Sequence, residues 1–73
     1  MSLLQQSIIS YLKNEESKTF GQAKINVGRS SVPINEVMSE LRVSYRHINA
    51  LIQKGYLNLS NRNIGLTDKA RTL

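Results

Sequence analysis

The stretch VSYRHINALIQKGYL, Val43 to Leu57, decides how the chain is read. Ile48, Leu51 and Ile52 recur at helical spacing and mark a core-facing stripe. Ser44 stands where an N-cap belongs, and Gly55 stands where a left-handed helix stop belongs. Tyr45, Arg46, His47 and Asn49, at the leading end, have no use in a plain core helix. A helix over 44–54 with an apolar back and a hydrogen-bonding front accounts for both halves.

Working outward, Pro33 opens a second helix over about 33–41, because a first helical position needs no amide hydrogen. Ile34, Val37, Met38 and Leu41 form its inward side, and Arg42 and Val43 make a tight connection to the next helix. After Gly55 the period changes from helical to alternating. Tyr56 to Ser60 reads as a strand with Leu57 and Leu59 on one face. Asn61-Arg62-Asn63 is a turn, since asparagine tolerates positive backbone angles, and Ile64-Gly65-Leu66 is the returning strand. The tail 67–73 starts with Thr67 as the cap of a last helical turn.

At the other end, Ser2 and Gln5 fit a capping box for a first helix over about 2–14. Its stripe is Leu4, Ile8, Tyr11 and Leu12, widened by Leu3 and Ile9. Segment 15–32 is the least regular. It reads as irregular structure with strand character near Lys24–Val27, or as a short helix around Gln22–Asn26. Phe20, the one phenylalanine, is expected to plug the core, and Glu36 and Glu40 to form an exposed i, i+4 pair.

Seventy-three residues make one small domain that buries about 60% of its unfolded surface. There is no cysteine, so neither a disulfide framework nor a cysteine zinc site can reinforce it. No apolar run reaches the roughly 18 residues of a membrane span. The first residues lack the basic leader of a signal peptide, so the expected location is the cytoplasm, with the nucleoid when bound to DNA. One histidine and no cysteine, with no carboxylate cluster and no phosphate-binding glycine loop, leave an enzyme without a site. No metal or cofactor is expected.

The net charge is +5 and it is unevenly spread. Residues 1–41 hold Lys13, Lys18, Lys24 and Arg29 against Glu15, Glu16, Glu36 and Glu40. Residues 42–73 hold Arg42, Arg46, Lys54, Arg62, Lys69 and Arg71 against Asp68 alone. A one-sided excess of this kind attracts polyanions, nucleic acid first. The same charges also serve as a solubilising surface.

The segments LRVSYRHINALIQKGYL and IGLTDKAR resemble the turn, third helix and wing ending of winged helix-turn-helix domains, the second being similar to MarR-, PadR- and ArsR-like proteins. The resemblance covers residues 33–71 and implies a mainly α fold with a small β-hairpin: a three-helix core plus a wing over 56–66. The chain departs from the pattern at Arg42, where glycine is usual, at Met38, where a small residue is common, and at Ala70, where the wing ending often has glycine. Segment 15–32 is also longer than the usual link.

The resemblance implies that helix 44–54 enters the major groove of double-stranded DNA. Tyr45, Arg46, Asn49 and Ala50 would then face the bases, with Arg46 suited to guanine and Asn49 to adenine. Ser44, Arg42, Lys54, Lys69 and Arg71 would meet the phosphate backbone, and Arg62 at the wing tip the backbone or the minor groove. A small transcriptional regulator, functioning as a homodimer, is the function this implies. The residues leave other readings open. Arg46 and Asn49 also suit a solvated helix face, Tyr45 a cover for the core edge, and His47 a structural role against the second helix. The same scaffold also serves as a protein-interaction module, or as a plasmid or phage accessory factor for excision, partition or replication.

Overall fold

The structure, a computed structural model, describes residues 1–73. It is a mixed α/β domain of four helices and two small antiparallel sheets. The elements are α1 (Leu3–Glu16), β1 (Thr19–Phe20), β2 (Ile25–Asn26), β3 (Val32–Pro33), α2 (Ile34–Leu41), α3 (Tyr45–Gln53), β4 (Leu57–Ser60), β5 (Asn63–Leu66) and α4 (Asp68–Arg71). The β content exceeds the mainly α class with one hairpin. β1 and β2 form a ribbon of their own, and β3 adds a strand to the C-terminal hairpin in the order β3-β5-β4. No helix is long and apolar enough to cross a membrane.

One core holds the elements together. It joins Ile8, Ile9 and Leu12 of α1 to Val37 of α2, Val43 of the turn, and Ile48 and Leu51 of α3. Val32, Leu57, Ile64 and Leu66 of the sheet and Ala70 of α4 close it. Phe20 is not the expected plug. It lies on the β1–β2 ribbon with 72% of its surface exposed, because a core filled by α1, α3 and the sheet leaves it no opening. Leu59 likewise does not share the buried environment of Leu57: it is 43% exposed.

The start of α1 is built as its sequence indicates. Gln5 N–H donates to the Ser2 hydroxyl, and Ser2 N–H donates to Gln5 Oε1, which completes the capping box and explains why a glutamine can be buried there. The end runs two residues past Asn14. Glu15 and Glu16 continue the helix because the following chain satisfies its last carbonyls: Ser17 N–H donates to Lys13 O, and Arg29 N–H donates to Glu15 O at 2.8 Å. The segment around Gly28 lies so close to α1 that an added Cβ would collide with the Glu16 carbonyl oxygen.

Arg29 locks this junction. Its guanidinium donates to Glu15 Oε1 at 3.0 Å and to Glu36 Oε2 at 2.6 Å, and the Tyr11 hydroxyl donates to the same Glu36 oxygen at 2.9 Å. α1, the 28–29 link and α2 are thereby tied at one point, and Glu36 is not the free exposed carboxylate expected from its i, i+4 spacing. Burial and the bond to Glu36 push the Tyr11 hydroxyl up to about 12. The Arg29 and Tyr11 hydrogen bonds hold Glu36 below its ordinary 4.5.

Pro33 ends β3 and caps α2; it is not the first helical residue. β3 is an edge strand, where the missing amide hydrogen is harmless. Val32 pairs with Ile64 and Pro33 with Asn63, and Ile34 N–H donates to Arg62 O at 2.9 Å. The head of α2 is therefore bonded to the tip of the β4–β5 hairpin. Gly65 makes room for this layer, since a Cβ there would lie 2.5 Å from Ser30 O.

Two outcomes follow. Gly28→Ala has no space for its methyl group and is expected to destabilise the domain by at least the roughly 1–3 kcal/mol typical of overpacking, measured by urea unfolding. Glu36 stabilises the folded chain fully above 4.5 and loses that contribution as pH falls through its lower folded value. Glu36→Gln should therefore melt below the parent at pH 7, and the gap should narrow as pH is taken below 4.5.

Candidate nucleic-acid interface

The placement of α3 starts with its two ends. At the N-terminus Ser44 occupies the N-cap position with extended backbone. Its hydroxyl makes no bond to a backbone amide and meets His47 Nδ1 at 3.0 Å. At the C-terminus Gly55, at φ 83°, donates to Ile52 O, and Tyr56 N–H donates to Leu51 O. This doubly bonded stop is what a glycine beyond a helix end permits. Thr67 then bolts the stop to the sheet: its hydroxyl donates to Gly55 O at 2.6 Å and accepts from Ala70 N–H.

Between these ends the helix has two unlike faces. Ile48 and Leu51 are completely buried. Arg46 is exposed, and Asn49 and Ala50 are half-buried on the side away from the core. Gln53, also exposed, extends this outward row seven residues from Arg46 and four from Asn49. It was not among the base-facing residues expected from sequence, although that spacing was available to find it. Tyr45 is 47% exposed at the first turn. His47 is half-buried. Neither the β1–β2 ribbon nor the 28–31 link encloses Arg46.

The turn before α3 contains Arg42 in the left-handed conformation, φ 54° and ψ 44°, with its N–H donating to Met38 O. Glycine suits such a position because it lacks the Cβ that crowds the following carbonyl. Arg42 adopts the angle anyway and leaves its guanidinium exposed one turn before Arg46. At the hairpin tip Asn61 and Arg62 both have positive φ, 49° and 62°. They form the two-residue turn that matches strand twist, with the Arg62 side chain exposed. The bond from Ile34 N–H fixes the backbone beneath it.

No protein-family model, curated protein or solved structure matches this chain.

The ion pairs divide the ten basic side chains. Lys18, Arg29 and Arg71 are paired, and they engage Glu15, Glu16, Glu36 and Asp68. Glu40 is the one carboxylate side chain outside these pairs. Arg42, Arg46, Lys54 and Arg62 have no carboxylate partner and stand exposed on or beside α3 and at the hairpin tip. Two of the expected phosphate contacts are engaged elsewhere. Arg71 bonds Glu16 and Asp68, at 3.2 and 2.9 Å, on the side where α4 meets α1. Lys69 donates to Lys54 O at 2.8 Å and lies 4.7 Å from the centre of the Tyr56 ring. The negative end of the α3 dipole draws the ammonium there.

Arg42 joins stability and charge at one position. Arg42→Gly is expected to raise the unfolding free energy by about 1 kcal/mol, because the left-handed angle no longer crowds a Cβ, while removing an unpaired cation. Urea denaturation measures the first effect.

Proposed function

We propose that this chain is a winged helix-turn-helix domain that binds double-stranded DNA with sequence preference, as a small transcriptional regulator. The observation that carries the reading is α3 itself, with Ile48 and Leu51 inside and Arg46, Asn49, Ala50 and Gln53 facing outward. A helix about 13 Å long with that division enters a major groove without exposing its core. Apart from the β1–β2 ribbon inserted after α1, the element order supports the reading: α1, the short strand β3, α2, a three-residue turn, α3, then a hairpin whose second strand pairs with β3.

The chemistry follows from the side chains. Arg46 offers a planar fork of donors to guanine O6 and N7, and Asn49 a donor and acceptor to adenine. Each pair would supply about 1–3 kcal/mol of discrimination between bases. Tyr45 and Ser44 stand at the first turn, within reach of the backbone beside the bases. Arg42, Lys54 and Arg62 would neutralise phosphates and release counterions, which adds affinity without sequence preference. Lys69 and Arg71 have structural partners and are left out of the contact set.

Titration of labelled duplexes selected from a random pool tests this. Arg46→Ala should relax preference at one base pair, with a loss of about 1–3 kcal/mol on the best site. Arg62→Ala should weaken all duplexes alike and reduce the salt slope by about 1. A folded protein that binds no duplex at low salt would refute the reading.

A further inference from the structure

The outer face of the C-terminal hairpin holds a hollow that the duplex reading does not use. Leu57, Ile64 and Leu66 are buried in the core, and strand alternation turns Asn58, Ser60, Asn63 and Gly65 to the opposite side. Asn58 pairs with Gly65 and Ser60 with Asn63 across the ladder, so the four share one patch. The link before β3 runs over Gly65, where a Cβ would lie 2.5 Å from Ser30 O. Ser30 and Ser31 therefore stand on the β3 side, the β4 side chains stand opposite, and the bare Gly65 keeps the floor between them low. The hollow has a volume of about 400 Å³, at the small end of ligand-sized clefts.

Its lining is rich in uncharged hydrogen-bonding groups: Ser30, Ser31, Asn58, Ser60, Asn61 and Asn63. None of these side chains bonds to another group of the chain. Those of Ser2, Ser17, Asn26 and Thr67, in contrast, are all engaged with backbone groups. An asparagine amide sets donors beside an acceptor, and a serine hydroxyl both donates and accepts. A ligand that meets them must give and take hydrogen bonds at neighbouring atoms, as adjacent hydroxyls on a carbon chain do. Charge does not select it. Arg71 is the only ionisable residue on the lining, and its guanidinium is already bonded to Glu16 and Asp68. Stacking does not select it either, because no aromatic ring lines the hollow and Leu66 is its single apolar residue. Ions, nucleobases and apolar molecules therefore find little to hold them.

We propose that this hollow binds a small neutral polyol, a mono- or disaccharide, with Asn58 and Asn63 bridging adjacent hydroxyls and Ser30, Ser31 and Ser60 bonding single ones. The ligand's hydroxyls replace waters on these groups, and no ion has to be desolvated. An open site without an apolar wall gives a dissociation constant on the order of 1 mM for a molecule of this size. A sugar that spans the hollow bonds the 30–31 link to β4 and so holds the hairpin, with Arg62 at its tip, against that link. The inference rests on the hollow alone and stands whether or not the duplex reading holds.

The test is an NMR titration of the full chain, nitrogen-labelled, with D-ribose, D-glucose and maltose, and separately with sodium phosphate. Each is taken to about 100 mM, roughly a hundredfold above the expected dissociation constant. At least one sugar should give saturable shifts confined to the backbone amides of Ser30, Ser31, Asn58, Ser60 and Gly65 and the side-chain amides of Asn58 and Asn63. Ser31 and Asn58 are both exposed, so circular dichroism of Ser31→Ala and Asn58→Ala should match the parent. Each variant should weaken that sugar about three- to tenfold, the loss of one or two hydrogen bonds. No saturable shift with any of the three sugars, or undiminished affinity in both variants, would overturn the proposal. Phosphate shifting the same amides at lower concentration than every sugar would make the hollow an anion site and overturn it too.

Discussion

Ile48 and Leu51 have no exposed surface, and the orientation of everything on the basic side of the molecule derives from that burial. A helix of nine residues is too short to persist alone in water. It exists because its apolar stripe fits between α1, α2 and the sheet, and that fit sets which side chains are turned outward. Arg46, Asn49 and Gln53 face away from the core for the same reason that Ile48 and Leu51 face into it. The front of α3 is therefore only as well placed as its back is packed.

The polar contacts serve this packing by fixing the neighbours of α3. Arg29 joins Glu15 of α1 to Glu36 of α2, and Tyr11 adds a second bond from α1. Arg62 O holds the head of α2 against the hairpin tip, while Thr67 fixes the end of α3 to the start of α4. These side chains are partly exposed, so their direct contribution to stability is reduced by solvent. Their importance is geometric, since each joins two elements that the core alone would leave free to slide.

Charge shows the same division of labour. The carboxylates of residues 15, 16, 36 and 68 meet Lys18, Arg29 and Arg71 within the fold. What remains unpaired includes Arg42, Arg46, Lys54 and Arg62. Counting charges along the chain placed all six cations of the C-terminal part in one group. Folding removes Arg71 to α1 and Lys69 to the end of α3, because a neighbouring carboxylate and a row of free carbonyls are nearer than any external anion.

Local pattern alone identified α1 with its capping box, the limits of α2 and α3 to within two residues, the Gly55 stop, the C-terminal hairpin with a turn at Asn61-Arg62-Asn63, of which Asn63 belongs to β5, and most of the core. Each depends on contacts between residues close in sequence, which periodicity and capping chemistry report. β3 escaped notice because a two-residue strand has no period, and it exists only through pairing with β5 thirty residues later. The β1–β2 ribbon was legible only as strand character near Lys24–Val27. Phe20 was misassigned because hydrophobicity indicates that a residue gains from burial, without indicating where room remains. The engagement of Lys69 and Arg71 and the Arg29 clamp were likewise invisible in the chain, since Glu16 and Arg71 come together only across fifty-five positions. Such partners are chosen by the packing of α1 against the sheet and α4, and only the tertiary structure decides them.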